Sequence, residues 1–315
     1  MGDPSKLETV WVTGASGFSG GHLRRELSRR GCAVLGIDRE AEAKDWIDLD
    51  LANANAVRTA IDERRPTAIV HLAAQSSGRV SLEDPVETVR NNVSITHGLL
   101  EGVRGVDPEV RPRVLSVGSC EEYGFVAEEA ELPLGEDQPL RPSNPYAVSK
   151  AAQTLLCQQY RRTWGLEVLA VRAFTHTGPG QDDRFVFSAW ARQIAQIERS
   201  GGALRVGNLA VSRDVSDVRD VARAYADLLE VDWPWDVVNL CSGREVRLED
   251  ALAILVAASG AAVEVTSDPS LFRPADVPRF VGNPDRFCRL TGWIPDTPIE
   301  TTLGDLLDDW RARLS

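Results

Sequence analysis

The chain has 315 residues, of which 43% are hydrophobic and 26% are charged. This composition is typical of a soluble globular protein. The length suits one large domain or two interleaved ones. The net charge of −12 argues against non-specific binding to nucleic acid. No apolar stretch approaches the ~20 residues that a membrane-spanning helix needs. The first residues carry no apolar signal region, so we expect a cytoplasmic protein.

Cysteine and histidine are scattered along the chain. The five cysteines include no Cys-x-x-Cys pair, and the four histidines include no His-x-x-x-His. These spacings favour free thiols over disulfides and predict no metal site.

The first predicted element is a strand, a tight turn and a helix. An apolar run at residues 10–12 leads into the pattern Gly-x-x-Gly-x-x-Gly, and leucines then recur at helical spacing. Gly14 permits the sharp turn, Gly17 lets the backbone approach a pyrophosphate, and Gly20 lets the helix pack close to the strand. The helix N-terminus offers free N–H groups to the phosphates, so the stretch predicts a dinucleotide site.

A second apolar run, at residues 33–37, ends on Asp38. An acid about 20 residues beyond the glycines is where the ribose of a dinucleotide is expected to bind. Asp38 would accept hydrogen bonds from a ribose diol and repel a 2′-phosphate, which favours NAD(H). NADP(H) stays open because the next residue, Arg39, could pair with that phosphate.

Further strands and helices alternate along the first half of the chain. Asp50 lies between the second strand and a helix at residues 54–64, where it could reach an adenine amino group or cap the helix. Apolar runs predict strands at residues 68–72, 114–117, 168–171 and 237–240, and apolar spacing predicts helices at 85–103 and 145–164. This alternation predicts an α/β fold with a doubly wound, Rossmann-type parallel sheet.

The pattern changes after Arg172. Helices are predicted at residues 185–197, 220–229, 248–258 and 299–314. We therefore predict a dinucleotide-binding domain at 1–172 and 214–240, interleaved with a smaller substrate-binding domain at 173–213 and 241–315.

Three polar residues form a candidate catalytic group. Tyr146 and Lys150 lie four apart on one predicted helix and so share a face. A phenol titrates near pH ~10, and a neighbouring ammonium is expected to lower its pKa. Ser119 ends a strand at the carboxyl edge, where ligands bind in such sheets, and its hydroxyl could donate to a substrate oxygen.

Together these stretches resemble the extended short-chain dehydrogenase/reductase family, from Val10 to the C-terminus. The similarity is carried by Thr-Gly-x-x-Gly-Phe-x-Gly at 13–20, His-Leu-Ala-Ala at 71–74, Asn-Val at 92–93, Ser119, Tyr-x-x-x-Lys at 146–150 and Gly-Pro at 178–179. Within the family, the stretches at 117–124, 176–181, 207–214, 241–243 and 271–276 are similar to enzymes that act on GDP-hexoses. The resemblance implies a homodimer formed through helices 85–103 and 145–164.

The resemblance also implies roles for single residues. Cofactor contacts fall on Gly14, Ser16, Gly17, Phe18, Ser19, Asp38, Arg39, Asp50, Leu51, Leu72, Ala73, Ala74, Asn92, Tyr146 and Lys150. Substrate contacts fall on Ser76, Glu121, Thr175, Gln181, Arg184, Arg213, Arg273 and Asp276. Of these, Arg213 and Arg273 would clamp the nucleotide diphosphate. Thr175 stands where the family often has Asn, which puts the substrate-phosphate contacts in doubt.

Two reactions compete for the same hydride site. In a GDP-4-keto-6-deoxy-mannose reductase, Tyr146 protonates the alkoxide that forms at C4 while Ser119 polarises the carbonyl. In a 4,6-dehydratase a further base must remove a proton beside the ketone, and Glu121 stands where such enzymes carry it. The C-terminal stretches resemble reductases more, so reduction is the main expectation. Dehydration, epimerisation of a nucleotide sugar and a dinucleotide-binding protein without activity are the alternatives.

Overall fold

The architecture is taken from a computed structural model, which describes residues 8–38, 45–125, 131–272 and 277–315, without the side chain of Arg79. Three residues with predicted roles, Arg39, Arg273 and Asp276, lie outside the described residues. In chain order the described strands are β1 (Thr9–Thr13), β2 (Ala33–Asp38), β3 (Trp46–Asp48), β4 (Ala68–His71), β5 (Arg113–Val117), β6 (Val168–Ala173), β7 (Thr175–Thr177), β8 (Ala203–Val206), β9 (Ser212–Asp217), β10 (Val237–Leu240), β11 (Glu245–Arg247), β12 (Glu264–Ser267) and β13 (Arg279–Phe280).

Seven of these strands form one parallel sheet in the order β10-β6-β5-β4-β1-β2-β3. The order reverses between β1 and β4, the switch point at which Rossmann-type sheets bind their ligands. The predicted α/β fold with a doubly wound sheet is confirmed. Sequence reasoning missed β3, because two of its three residues are only partly buried, the third is exposed, and they form no apolar run.

Helices cover both faces of the large sheet. The described helices are α1 (Phe18–Arg29), α2 (Ala54–Arg64), α3 (Gly78–Glu83), α4 (Pro85–Arg104), α5 (Pro145–Trp164), α6 (Val186–Ser200), α7 (Val218–Leu228), α8 (Leu248–Ser259), α9 (Asp285–Thr291) and α10 (Ile299–Leu314). One apolar core lies between the sheet and α1 and α7, and a second lies between the sheet and α2, α4 and α5. None of the helices in the described ranges is long and apolar enough to cross a membrane.

A smaller region packs beside the large sheet. In this region β9 pairs with β7, β11 and β13, and β8 pairs with β12. Helices α6, α8 and α10 enclose a third apolar core. The chain leaves the large sheet after β6 and returns to it at β10. The domain boundaries given above stay a prediction. The predicted boundary between residues 213 and 214 falls inside β9.

Candidate active site

The glycine turn between β1 and α1 is built by close backbone contacts. Gly14 adopts a φ of +66°, which favours glycine. A Cβ on Gly20 would lie 2.3 Å from the carbonyl oxygen of Gly14. Helix α1 begins after Gly17, where no side chain caps it, so the amides of its first turn are available to an anion. A dinucleotide pyrophosphate fits such a turn.

Asp38 lies beside this turn, at the end of β2. The backbone N–H of Ser16 donates to Asp38 Oδ2 over 3.2 Å, and the Ser16 hydroxyl donates to the same oxygen. Both residues are at least partly exposed. Two of the predicted cofactor residues therefore meet in space, although 22 positions separate them.

The start of α1 is also tied to the segment that follows β6. Ser19 Oγ lies 2.8 Å from His176 Nε2, and the Phe18 ring stacks on the His176 ring with centroids 6.1 Å apart. His176 Nδ1 lies 3.0 Å from the carbonyl oxygen of Phe174, so Nδ1 donates and Nε2 accepts from Ser19. Sequence reasoning gave His176 no role. It joins the predicted cofactor turn to the first strand of the smaller region.

The segment after β4 is held against β1 and α4. The Ala73 N–H donates to Thr13 Oγ1 over 3.1 Å. The side chain of Asn92 accepts from the Gln75 N–H and donates to Ser149 Oγ, over 2.8 and 2.9 Å. Its amide therefore links this segment to α5. Leu72 and Ala74 are partly buried here, and Ser76 is exposed.

Asp50 and Leu51 occupy the turn before α2. Asp50 Oδ1 accepts from the Ala52 N–H over 3.0 Å, and Asn53 rather than Asp50 caps the helix. Asp50 is exposed, and Leu51 is buried. The adenine contact of Asp50 stays a prediction.

The predicted catalytic side chains converge at the carboxyl end of β5. Ser119 lies two residues after the end of β5, and its side chain is close enough to the phenol of Tyr146 on α5 to lower the pKa of that phenol. Lys150 lies one turn further along α5 and donates to the carbonyl oxygen of Val117 over 2.8 Å and to Gln153 Oε1 over 2.9 Å. Its ammonium is 5.9 Å from the centre of the Tyr146 ring. All three predicted residues are buried.

The pKa of Tyr146 differs from the sequence-based expectation. Burial raises it well above the ordinary phenol value, and the nearby charge of Glu121 raises it further. The Lys150 ammonium, which was expected to lower this pKa, is not among the main groups that shift it. Burial also lowers the pKa of Lys150 to about 8. Tyr146 is therefore a protonated phenol at neutral pH, which is the form that donates a proton.

Glu121 is bound to the helix that carries Tyr146. The Asn144 side chain donates from Nδ2 to Glu121 Oε2 over 2.7 Å and accepts from the Ala147 N–H over 2.8 Å, which caps α5. One side chain thus begins the helix and holds the carboxylate beside it. Glu121 is partly buried.

The predicted substrate residues differ in their surroundings. Thr175 lies in β7. Gln181 is buried, and its side chain bonds to Thr177 Oγ1 and to the carbonyl oxygen of His176, over 2.6 and 3.0 Å. Arg184 is half exposed and pairs with Asp182.

Arg213 lies on β9, near the short turn after β5 that contains Ser119 (residues 118–122), which we call the Ser119 turn. Its guanidinium donates to the carbonyl oxygens of Ser212 and Val277, over 2.8 and 2.9 Å. Its charge lowers the pKa of Cys120, next to Ser119, although burial raises that pKa overall. The fold thus brings one of the two predicted diphosphate ligands close to the predicted catalytic group.

Sequence reasoning missed a buried ion pair behind Ser119, formed by Glu122 and Arg172. A signal was present, because Arg172 interrupts an otherwise apolar strand. A charged residue is rarely buried in such a strand unless it has a partner. No cluster of three or more potential metal ligands occurs within the described ranges.

A parallel sheet with a glycine turn at one strand end and a Ser-Tyr-Lys group at another defines a short-chain dehydrogenase/reductase. The family model described as GDP-mannose 4,6 dehydratase matches residues 11–306. The chain belongs to this family.

Individual proteins extend this assignment. The chain is 35% identical to a GDP-6-deoxy-D-mannose reductase of Pseudomonas aeruginosa over 98% of both chains, and 26% identical to a GDP-mannose 4,6-dehydratase of Yersinia enterocolitica over 96% of this chain and 93% of that one. It is also similar to the solved structure of RMD from Pseudomonas aeruginosa complexed with NADPH. That similarity has a TM-score of 0.83 and 35% identity, and it covers 97% of this chain and 99% of the other.

Proposed function

We propose that the protein is an NAD(P)H-dependent reductase that converts the C4 ketone of GDP-4-keto-6-deoxy-mannose into the alcohol of a GDP-6-deoxyhexose such as GDP-rhamnose. The observation that carries the proposal is the buried group of Ser119, Tyr146 and Lys150, which lies at the carboxyl end of β5 with the phenol of Tyr146 close to the Ser119 side chain. The similarity to a GDP-6-deoxy-D-mannose reductase over nearly the full length of both chains supports the same substrate.

The residues divide the chemistry among them. When bound, a reduced nicotinamide would supply the hydride for the carbonyl carbon. Ser119 donates a hydrogen bond to the carbonyl oxygen, where negative charge develops. Tyr146 gives its proton to that oxygen. Lys150 lies one helical turn from Tyr146 and is an ammonium at pH values below its pKa of about 8. It would also hold the nicotinamide ribose.

The cofactor would lie along the carboxyl edge from Asp38 to Lys150. Its pyrophosphate would occupy the turn at Gly14 and Gly17, and its adenine ribose would bind Asp38. A carboxylate at this position favours NADH, whereas the similar Pseudomonas structure holds NADPH. Parallel kinetics with the two cofactors would separate these possibilities.

A second function, 4,6-dehydration, is favoured by one observation. The charge of Glu121 raises the pKa of Tyr146, so a carboxylate stands close to the phenol. As a base it would remove a proton beside a ketone. The hydrogen bond from Asn144 counts against this role, because it occupies one oxygen of the carboxylate.

One assay decides between the two functions. The enzyme is mixed with GDP-4-keto-6-deoxy-mannose and either NADPH or NADH, and the absorbance of the reduced nicotinamide is followed. Steady consumption is expected for a reductase. Formation of a 4-keto sugar from GDP-mannose, without net consumption of cofactor, would instead identify a dehydratase. An enzyme inactive in both assays would contradict both functions and leave epimerisation or binding alone.

We also propose a homodimer formed through α4 and α5 and, separately, a location in the cytoplasm. Both helices carry exposed apolar side chains, including Val86, Val148 and Leu155. Burying such side chains between two copies would be favourable. Light scattering is expected to give twice the chain mass, and Leu155→Glu should reduce it to that of a monomer.

A further inference from the structure

A buried ion pair between Glu122 and Arg172 contacts the backbone of Ser119. Arg172 Nε is 3.0 Å from Glu122 Oε2, and the side chains are 4% and 0% exposed. Taking both charges out of water is unfavourable, and replacing a buried pair with apolar residues is often neutral or stabilising. Stability alone is therefore a weak explanation for this pair, so its other contacts become informative.

The second oxygen of the Glu122 carboxylate holds Ser119. Glu122 Oε1 accepts from the Ser119 N–H over 2.9 Å, and Ser119 Oγ accepts from the Glu121 N–H over 3.2 Å. These bonds form a capping box at the short turn that follows β5. A Cβ on Gly118 would lie 2.2 Å from Glu122 Oε1, so a glycine is required there to admit the carboxylate. The carboxylate thus fixes the backbone from which the Ser119 hydroxyl projects.

The other partner, Arg172, has contacts besides Glu122. Arg172 Nη1 donates to Tyr123 Oη and to the carbonyl oxygen of Glu136, both over 3.0 Å. Tyr123 in turn donates to Asn239 Oδ1 on β10 over 2.7 Å. Arg172 is therefore also held by its bond to the carbonyl oxygen of Glu136 and by its place in β6, and it can support Glu122.

Glu122 also lies near the Lys150 ammonium, because Glu122 Oε1 packs against Gly118 and Lys150 donates to the carbonyl oxygen of the preceding residue, Val117. Its charge raises the pKa of Lys150, against the larger lowering by burial, and Arg172 is not among the groups that shift Lys150. The other groups facing Lys150 are Cys157 on its own helix and His71 on β4. His71 is fully buried and its pKa is lowered to about 3, so it is neutral at pH 7. Burial raises the pKa of Glu122, whereas the Arg172 charge and the Ser119 N–H favour its carboxylate form, and this carboxylate is the negative charge beside Lys150.

We propose that Glu122, supported by Arg172, is a positioning residue for the reaction, which orients the Ser119 hydroxyl toward Tyr146 and places a negative charge beside Lys150. The proposal rests on the reductase function given above. It assigns the neighbouring acids different tasks, since Glu121 lies at the site and Glu122 acts only through Ser119 and Lys150.

Two double variants separate the hydrogen bond from the charge. Glu122→Gln with Arg172→Met removes both charges but keeps an acceptor for the Ser119 N–H. Glu122→Leu with Arg172→Met removes the charges and the acceptor. With GDP-4-keto-6-deoxy-mannose we expect kcat to fall at least ~10-fold in the Leu variant and no more than ~3-fold in the Gln variant at pH 7, since only the former frees Ser119. The KM for the reduced cofactor should stay unchanged in both.

A second readout is independent of activity. The chain has three lysines, Lys6, Lys44 and Lys150, so ¹³C-lysine labelling gives few NMR signals, and Lys150→Arg assigns the relevant one. In the Gln variant the titration of Lys150 should move at least ~0.5 pH unit lower, because a neighbouring negative charge has been removed. The Lys6 and Lys44 signals serve as internal controls.

The outcomes are distinguishable. A wild-type enzyme that does not reduce the ketone contradicts the proposed function, while the Lys150 titration still tests Glu122. An active wild type whose two double variants keep its kcat, and whose Lys150 titration is unmoved, would overturn the positioning role alone. Thermal melting shows whether the Leu variant folds; if it does not, the Lys150 titration in the Gln variant decides by itself.

Discussion

The glycine turn and the Ser119 turn lie at the same edge of the same sheet, yet they are built in opposite ways. The turn after β1 depends on missing side chains, since a Cβ on Gly20 would meet the backbone of Gly14. The turn after β5 depends on a buried charge, since Glu122 holds Ser119 and is itself held by Arg172. The first arrangement is local in sequence, and the second joins residues 50 positions apart. Binding a phosphate needs space and free amides, whereas moving a proton needs a controlled electrostatic environment.

The largest effect should come from removing the proton donor of the Ser119 site. Tyr146→Phe keeps the ring and its packing but removes the hydroxyl, so kcat for ketone reduction should fall at least ~100-fold. Dinucleotide binding, measured by fluorescence titration, should stay close to wild type. A near-normal rate would remove Tyr146 from the mechanism and leave the Ser119 turn without a chemical role.

The glycine turn can be tested by adding a single methyl group. Gly20→Ala places a Cβ 2.3 Å from the Gly14 carbonyl oxygen, so the turn must open and dinucleotide affinity should fall at least ~10-fold, about 1.4 kcal/mol. Gly21→Ala is the matched control on the same helix, because its Cβ meets nothing closer than 3.8 Å, at the end of the Arg25 side chain. Calorimetric titration measures both. Equal affinities in the two variants would contradict a space-dependent turn.

The charge dependence of the Ser119 site should appear in its pH profile. Burial lowers the pKa of Lys150 to about 8. The ammonium is present below this pKa and is lost as the pH rises through it, so kcat should decline above about pH 8 and drop roughly tenfold by pH 9. Dinucleotide affinity should change much less over that range. A flat kcat between pH 7 and pH 9 would show that the ammonium is not required.

The smallest effect is expected at Glu121. Glu121→Gln keeps a side chain that Asn144 can bond, so the rate of ketone reduction should stay within ~3-fold of wild type. Formation of any 4-keto sugar from GDP-mannose should be lost, because an amide is not a base. Rates of both reactions in wild type and variant give the answer. A strong loss of ketone reduction would mean that Glu121 takes part in the proton transfer at the Ser119 site.

The fold was predictable where one type of pattern dominates a segment. Helix α5 was predicted with the bounds that the structure shows, since Pro145 opens it and its apolar spacing continues to Trp164. The turn at Gly14 was predictable because few other functions require three glycines at this spacing. By contrast, β3 has three residues without an apolar pattern, and it is identified as a strand by its pairing with β2.

The sequence predicted which side chains the structure brings together at β5 and α5, but not their electrostatics. Tyr146 and Lys150 share a helix face because of their spacing, and Ser119 ends a predicted strand. The direction of the Tyr146 pKa shift was wrong, because the expectation considered the neighbouring ammonium and not the depth of burial. Gln181 was expected at the substrate, and the structure shows its side chain bonded to Thr177 and His176.

The sequence by itself determined the parallel sheet, the glycine turn and the identity of the Ser-Tyr-Lys group, because each follows from short-range spacing and backbone stereochemistry. Only the tertiary structure decided which acid supports Ser119, that Arg172 is its partner, and that Tyr146 stays protonated. Those properties depend on how deeply a group is buried and which charges surround it. Both are set by residues far apart in the chain, and no local pattern records them.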